Sequence, residues 1–197
     1  LGYTSTQWFQ EFEWNTVNSH SGSPGFGTNR QVKFRLDVPQ VISFGLAWEP
    51  SETLLIATDV RHINYSHTAG FKGEGFNPDG SVAGFGWEDI WVFGIGTQYR
   101  PMDRLALRLG YNYSENPVPD DLSFFNIPAP AIIQQRISAG AGWDFSDSVQ
   151  LNIAYYRALE NSGEGPMHDP TLGPLAGTSV KNTMHEDSAL VEISYRF

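Results

Sequence analysis

Seven polar side chains recur at alternate positions of otherwise apolar stretches: Asp59, Arg61, Arg108, Asn112, Gln134, Arg136 and Glu192. Arginine suits the task of holding a carboxylate, because its planar fork donates two parallel hydrogen bonds. Arg108 or Arg136 can therefore receive an anionic headgroup, with Arg61, Asn112 and Gln134 as further polar contacts. The competing reading is that the arginines pair with Asp59, Glu192 or carboxylates of a plug beyond these stretches and simply satisfy a buried polar interior. A second set, Phe71, Phe76, Phe85, Phe124 and Phe125 with Ile127, sits in Gly- and Pro-rich stretches. These rings either offer an entry surface to a greasy ligand or pack the loops against one another.

Catalysis finds little support. His20, His62, His67, His168 and His185 are scattered, mostly in or beside loops, and no G-x-S-x-G nucleophile elbow occurs. No His pair has the helical spacing of a metal site. His185 beside Glu186 and Asp187 is the one tempting cluster. The expectation is no catalytic residue, no metal and no cofactor.

The elements that carry these residues are strands. In "DRLALRLGYNYS", Leu105, Leu107, Leu109, Tyr111 and Tyr113 share one face, against Ala106, Arg108, Gly110, Asn112 and Ser114. Such period-two alternation marks a strand with one apolar and one polar face. "EDIWVFGIGTQYR" sets Trp91, Phe93, Ile95 and Tyr99 against Gly94, Gly96, Gln98 and Arg100. "IIQQRISAGAGWDF" sets Ile133, Ile137, Ala139, Ala141, Trp143 and Phe145 against Gln134, Arg136, Ser138, Gly140, Gly142 and Asp144. "SVQLNIAYY", "VISFGLAW" and "TLLIATDVR" read the same way. With the opening "LGYTSTQWFQEFEW" and the final "LVEISYRF", about eight strands are expected.

Connections and aromatics choose the class. Tight turns at 49–52, 100–103 and 146–148 alternate with long loops at 16–31, 66–86, 115–130 and 160–184. No run of ~18 apolar residues exists, which excludes a transmembrane helix. A transmembrane β-barrel escapes hydropathy, because only alternate residues face lipid, and it pairs short periplasmic turns with long outer loops. A mean hydropathy of −0.31 therefore does not exclude one. Trp48, Tyr99, Trp143 with Phe145, and Tyr195 with Phe197 stand on the apolar face just before each short turn or the terminus, as an interfacial girdle would. Trp91, Tyr113 and Tyr155 make a rougher ring at the other ends.

The reading is therefore an all-β, transmembrane, antiparallel up-and-down β-barrel of the Gram-negative outer membrane, with its C-terminus in the periplasm. Val191, Ile193, Tyr195 and Phe197 then form the terminal signal read by the outer-membrane barrel assembly machinery. Outer-membrane lipid and lipopolysaccharide are the surroundings. Asp120, Asp121, Glu164 and Asp169 either bridge lipopolysaccharide through divalent ions or form a solvated face. A net charge of −10 argues against a nucleic-acid partner.

The stretch "FGWEDIWVFGIGTQYRPMDRLALRLGYNYSENPVPDDLSFFNIPAPAII" resembles the C-terminal half of the FadL/TodX family, outer-membrane transporters of long-chain fatty acids and other hydrophobic compounds. Its "FGW", "LRLGYNYSENPVP" and "FNIPAPAI" carry the likeness, and "VISFGLAWEPSETLLIATDVRHINYS" fits an earlier hairpin. The resemblance implies passive uptake of a small hydrophobic ligand through a plugged barrel of fourteen strands. Residues 1–197 would form a single β-barrel segment matching the last eight strands, with the N-terminal hatch and first strands lying outside it. Two alternatives stand beside transport: a small structural or adhesion barrel, and a wall subunit of a larger envelope assembly. An ion-paired, closed lumen would favour either.

Overall fold

The computed structural model describes residues 1–19, 21–22 and 25–196. Its main element is one antiparallel sheet of eight strands. In chain order these are β1 (Gly2–Thr4), β4 (Gln40–Ser51), β5 (Leu54–Asn64), β6 (Ile90–Met102), β7 (Leu105–Ser114), β8 (Gln135–Asp144), β9 (Val149–Gly165) and β12 (Val180–Tyr195). Each pairs with the next, and β1 and β12 are the two edges of an open sheet. Two small hairpins lie outside it: β2 (Phe12–Val17) with β3 (Asn29–Phe34), and β10 (His168–Asp169) with β11 (Gly173–Pro174). No helix among the described residues is long and apolar enough to cross a membrane, which says nothing of strands.

Short connections at 52–53, 103–104 and 145–148 all lie at one end, and Arg196 N–H donates to the Ser148 carbonyl there. The long connections lie at the other end. Register keeps the two faces separate across the whole sheet. Phe44, Val60, Phe93 and Tyr113 fall in one row, as do Ile137, Arg157 and Asp187. On the opposite face run Asp59, Gly94, Asn112, Arg136, Ala158 and Glu186.

Among the described residues, nothing covers the apolar face. Leu46, Leu109, Ile153 and Val191 are exposed, as are the girdle residues Trp48, Tyr99, Trp143 and Tyr195. So broad an unpartnered apolar surface would aggregate in water, and a bilayer is the solvent that suits it. The buried apolar residues gather instead beneath the long loops, where Val118, Leu122, Phe125, Ile132 and Ile133 are packed.

Three features depart from the sequence expectation. The opening stretch is not one strand: three residues join the wall, and the chain then leaves it to build the β2–β3 hairpin, whose return strand begins inside the expected 16–31 loop. β9 and β12 run past the expected boundaries, to Gly165 and from Val180. Strands of 17 and 16 residues exceed the roughly 9–11 that a bilayer needs. A bulge between Met184 and Glu186 marks where the surplus begins. Finally, the 115–134 connection carries a 3-10 helix (Asp120–Asn126). Gly165 lets that helix sit against β9, since a Cβ there would lie 2.0 Å from the Asp120 carbonyl oxygen.

Candidate functional site

Two long connections fold inward to roof the sheet. Asn126, fully buried, pins them together. Its Oδ1 accepts from Trp87 Nε1–H at 2.6 Å, and its Nδ2 donates to the carbonyls of Phe85 (2.9 Å) and Leu122 (3.0 Å). The tall β9–β12 pair supplies the other anchor. Asn161 Nδ2 donates to the Ile132 carbonyl at 2.7 Å and to Gln134 Oε1 at 3.1 Å, and Asn182 Nδ2 donates to the Ser123 carbonyl at 2.8 Å.

Between roof and wall lies a cavity of about 440 Å³. Its upper walls are apolar: Ile63, Ile90, Val92, Ile133 and Met184, with the rings of Tyr65 and Trp87. Burial holds the Tyr65 phenol above its ordinary pKa. The lower side is polar, with Arg61, Asn112, Arg136 and Glu186. Arg61 Nε binds Asp59 Oδ1 at 2.8 Å. Arg136 leans on a neutral amide, its guanidinium 3.5 Å from Asn112 Oδ1. Glu186 accepts from the Tyr156 hydroxyl. Arg136 has no carboxylate at ion-pair distance among the described residues. The arrangement can take a small apolar body above and an anionic or polar end below.

Alternation thus brings three of the expected residues, Arg61, Asn112 and Arg136, into one cavity. Arg108 sits further toward the short turns, where Nε binds Gln98 Oε1 at 2.8 Å and Nη1 binds Asn152 Oδ1 at 3.1 Å. Gln134 holds the roof to β9 rather than lining the cavity. The expected pairing of Arg108 or Arg136 with Asp59 or Glu192 is not made: Asp59 binds Arg61, and Glu192 accepts from Ser194 Oγ. Ile133, expected on the outer face, is buried and lines the cavity, because the chain turns inward before β8 starts.

The loop phenylalanines form two ring clusters. Phe71 packs on Trp87 (4.8 Å between centroids) and Tyr65 (5.0 Å), with Phe85 behind them. Phe76, Phe124 and Phe125 group with His168. Phe125 is buried and the other four are half-buried. Other rings away from the wall are open to solvent, among them Trp8, Phe9, Phe12 and Trp14, leading into and along β2. Phe12 and Trp14 stack at 5.9 Å. Their spacing fits a strand, but the sequence alone does not show that this strand leaves the wall.

His185, Glu186 and Asp187 do not act together. Glu186 turns to the inner face, while Asp187 turns outward to the Tyr155 hydroxyl and lies 3.8 Å from Arg157. Among the described residues no group of three or more His, Asp or Glu could hold a metal ion. Val191, Ile193 and Tyr195 alternate outward and exposed. Phe197 and His20 lie outside the described residues.

No curated protein matches the chain. Among solved structures it is similar to the Pseudomonas putida toluene transporter TodX, with a TM-score of 0.58 and 16% identity over 99% of this chain and 44% of that one. A Pseudomonas aeruginosa FadL homologue matches with a TM-score of 0.67 and 16% identity, over 97% of this chain and 46% of that one. A TodX deltaS2S3 mutant, a monoaromatic hydrocarbon channel, gives 0.61 and 18%, over 99% and 45%. At such identities the likeness is one of fold, and the chain spans less than half the length of each structure. The eight strands are accordingly barrel wall, in an open arc. The model of the outer membrane protein transport family (OMPP1/FadL/TodX) matches residues 6–197. That family is one of transporters rather than enzymes, and on this match the chain belongs to it.

Proposed function

We propose that this protein carries small hydrophobic compounds, long-chain carboxylates among them, inward across the Gram-negative outer membrane. The long-loop end faces outward, and the short turns and C-terminus face the periplasm. Exposed rings on and before β2 gather ligand from the lipopolysaccharide layer. The ligand then rests in the roofed cavity with its apolar body against Ile63, Trp87 and Ile133 and its headgroup toward Arg136. Burial of apolar surface supplies the drive, and no cofactor or nucleotide is needed. The terminal Val191, Ile193, Tyr195 and Phe197 serve recognition by the barrel assembly machinery.

One observation carries this reading: a cavity with apolar walls in which Arg136, unlike Arg61, leans on an amide and has no carboxylate at ion-pair distance among the described residues. A structural barrel would gain nothing from such a charge. The test is to fill the cavity. Ile133→Trp, in the full-length protein, is expected to lower radiolabelled ligand uptake about tenfold, the effect of losing roughly 1.4 kcal/mol of binding. Uptake is read in cells lacking their own carrier, with barrel folding checked by heat-modified gel mobility. Unchanged uptake by a folded variant would refute the cavity as the holding site.

A further inference from the structure

We infer that Glu186 is a specificity-determining residue of the roofed cavity, and that the ligand it selects is a long-chain carboxylate bearing a hydroxyl close to its carboxylate end. The inference rests on the transport reading above and narrows it: Arg136 takes the carboxylate, and Glu186 calls for a hydrogen-bond donor beside it.

Register sets the floor of the cavity. Asp59, Gly94, Asn112, Arg136, Ala158 and Glu186 form one inner row across neighbouring strands. Arg136 and Glu186 are two strands apart, with roughly 10 Å between their backbones. Ala158 between them is fully buried, so the floor is closed at that point and both charges border the cavity above it.

Pairing decides which charges a ligand meets. Arg61 binds Asp59 at 2.8 Å, and those two offset each other. One cation and one anion remain on the cavity, Arg136 and Glu186, and no ion pair joins them. Arg136 has only the Asn112 amide oxygen, 3.5 Å away, so most of its donors stay open. Glu186 accepts from the Tyr156 hydroxyl through Oε1, while Oε2 has no hydrogen-bond donor among the described residues. Tyr156 comes from the next inner row toward the short turns. It holds the carboxylate in place without neutralising it.

A plain carboxylate satisfies half of this floor. Placed on Arg136 it meets the negative charge of Glu186 in surroundings less polar than water, and it offers nothing to Oε2. A hydroxyl a few bonds away changes both. Its O–H donates to Oε2, and a bond accepted by an anion is stronger than one between neutral groups. A site built to bond a hydroxyl rejects the analogue lacking it, because the site's own polar group is then left unpaired. The walls above, Ile63, Ile133 and Met184, hold the hydrocarbon in either case.

The test measures displacement of radiolabelled dodecanoate from the purified full-length protein in detergent. Unlabelled dodecanoate and 3-hydroxydodecanoate are the competitors, with a protein-free blank for uptake by micelles. The hydroxy acid is expected to bind about tenfold tighter, the effect of one charge-assisted bond. Glu186→Gln should bring the two affinities within about twofold of each other. Arg136→Gln should weaken both about tenfold and keep their ratio. Equal affinities in the unaltered protein would overturn the inference without need of any variant, and would leave the transport reading standing. A ratio untouched by Glu186→Gln would make Glu186 a strut and overturn it too, as would unchanged binding of both acids in Arg136→Gln. Absence of specific binding by either acid would instead defeat the cavity as the holding site, and the inference with it.

Discussion

Replacing Asn126 with alanine should unlatch the roof while leaving the wall intact. The side chain is fully buried and makes three hydrogen bonds, one from Trp87 Nε1–H and two to the Phe85 and Leu122 carbonyls. Each bond contributes about 1 kcal/mol net, so their joint loss costs roughly 3 kcal/mol. Since each 1.4 kcal/mol is a factor of ten, local opening of the roof becomes about a hundredfold more frequent. Hydrogen exchange reads this directly. The Phe85 and Trp87 amides, which donate to the Gly70 and Phe71 carbonyls, should exchange about a hundredfold faster if they open locally. Amides of β6 and β7 should not change, because no bond of Asn126 reaches them. Equal acceleration in β6 and β7 would show that the roof is integral to the wall's stability. No acceleration at Phe85 and Trp87 would show that Asn126 is not the latch.

Two further perturbations probe separate parts of the molecule. Asp37, 4% exposed, accepts from Arg35 Nε and Nη2 and from the Phe9 amide at 2.9 Å. These bonds, the guanidinium foremost, hold its pKa below the ordinary carboxylate value. A depressed folded pKa gives stability that is present above about pH 4 and is lost as pH falls through the folded value. Protection of the Phe9 amide should therefore decline below about pH 4, and Asp37→Asn should flatten that profile at a cost of about 1–3 kcal/mol. An identical profile in the variant would sink the assignment. Leu109, on the outer face midway between the aromatic rings, should tolerate arginine poorly. Leu109→Arg is expected to cost about 2–4 kcal/mol in a bilayer, read by denaturant unfolding in lipid, and a neutral result would mean this face does not meet hydrocarbon.

Period two made the wall legible. Where one face meets lipid and the other the lumen, side-chain polarity alternates, and β7 could be read from Leu105 to Ser114 without error. The same rule placed Arg61, Asn112 and Arg136 on one side. It failed where both faces meet water or roof. "RALENSGEG" and "VKNTMHED" complete β9 and β12, yet they carry no alternation of polarity. The β3 return strand "NRQVKF" offers only Val32 and Phe34 to the pattern. Roof residues were harder still. Asn126 and Ile133 gain their roles from irregular backbone, whose course depends on long-range bonds that no local period encodes.

The inner glycines carry a consequence for how such a wall can change through descent. A Cβ at Gly94 would meet Asp59 Oδ2 at 2.6 Å, one at Gly110 would meet Ser138 Oγ at 2.6 Å, and one at Gly142 would meet Asn152 Oδ1 at 2.6 Å. Each glycine makes room for one polar neighbour on the adjacent strand. Enlarging any of them makes the tip of that neighbour turn aside, so a change at the glycine also re-aims a polar group on the adjacent strand. The lipid face is under no such rule, since any apolar side chain serves there. Selection can thus retune what the interior prefers through changes felt across neighbouring strands, while the outside drifts freely.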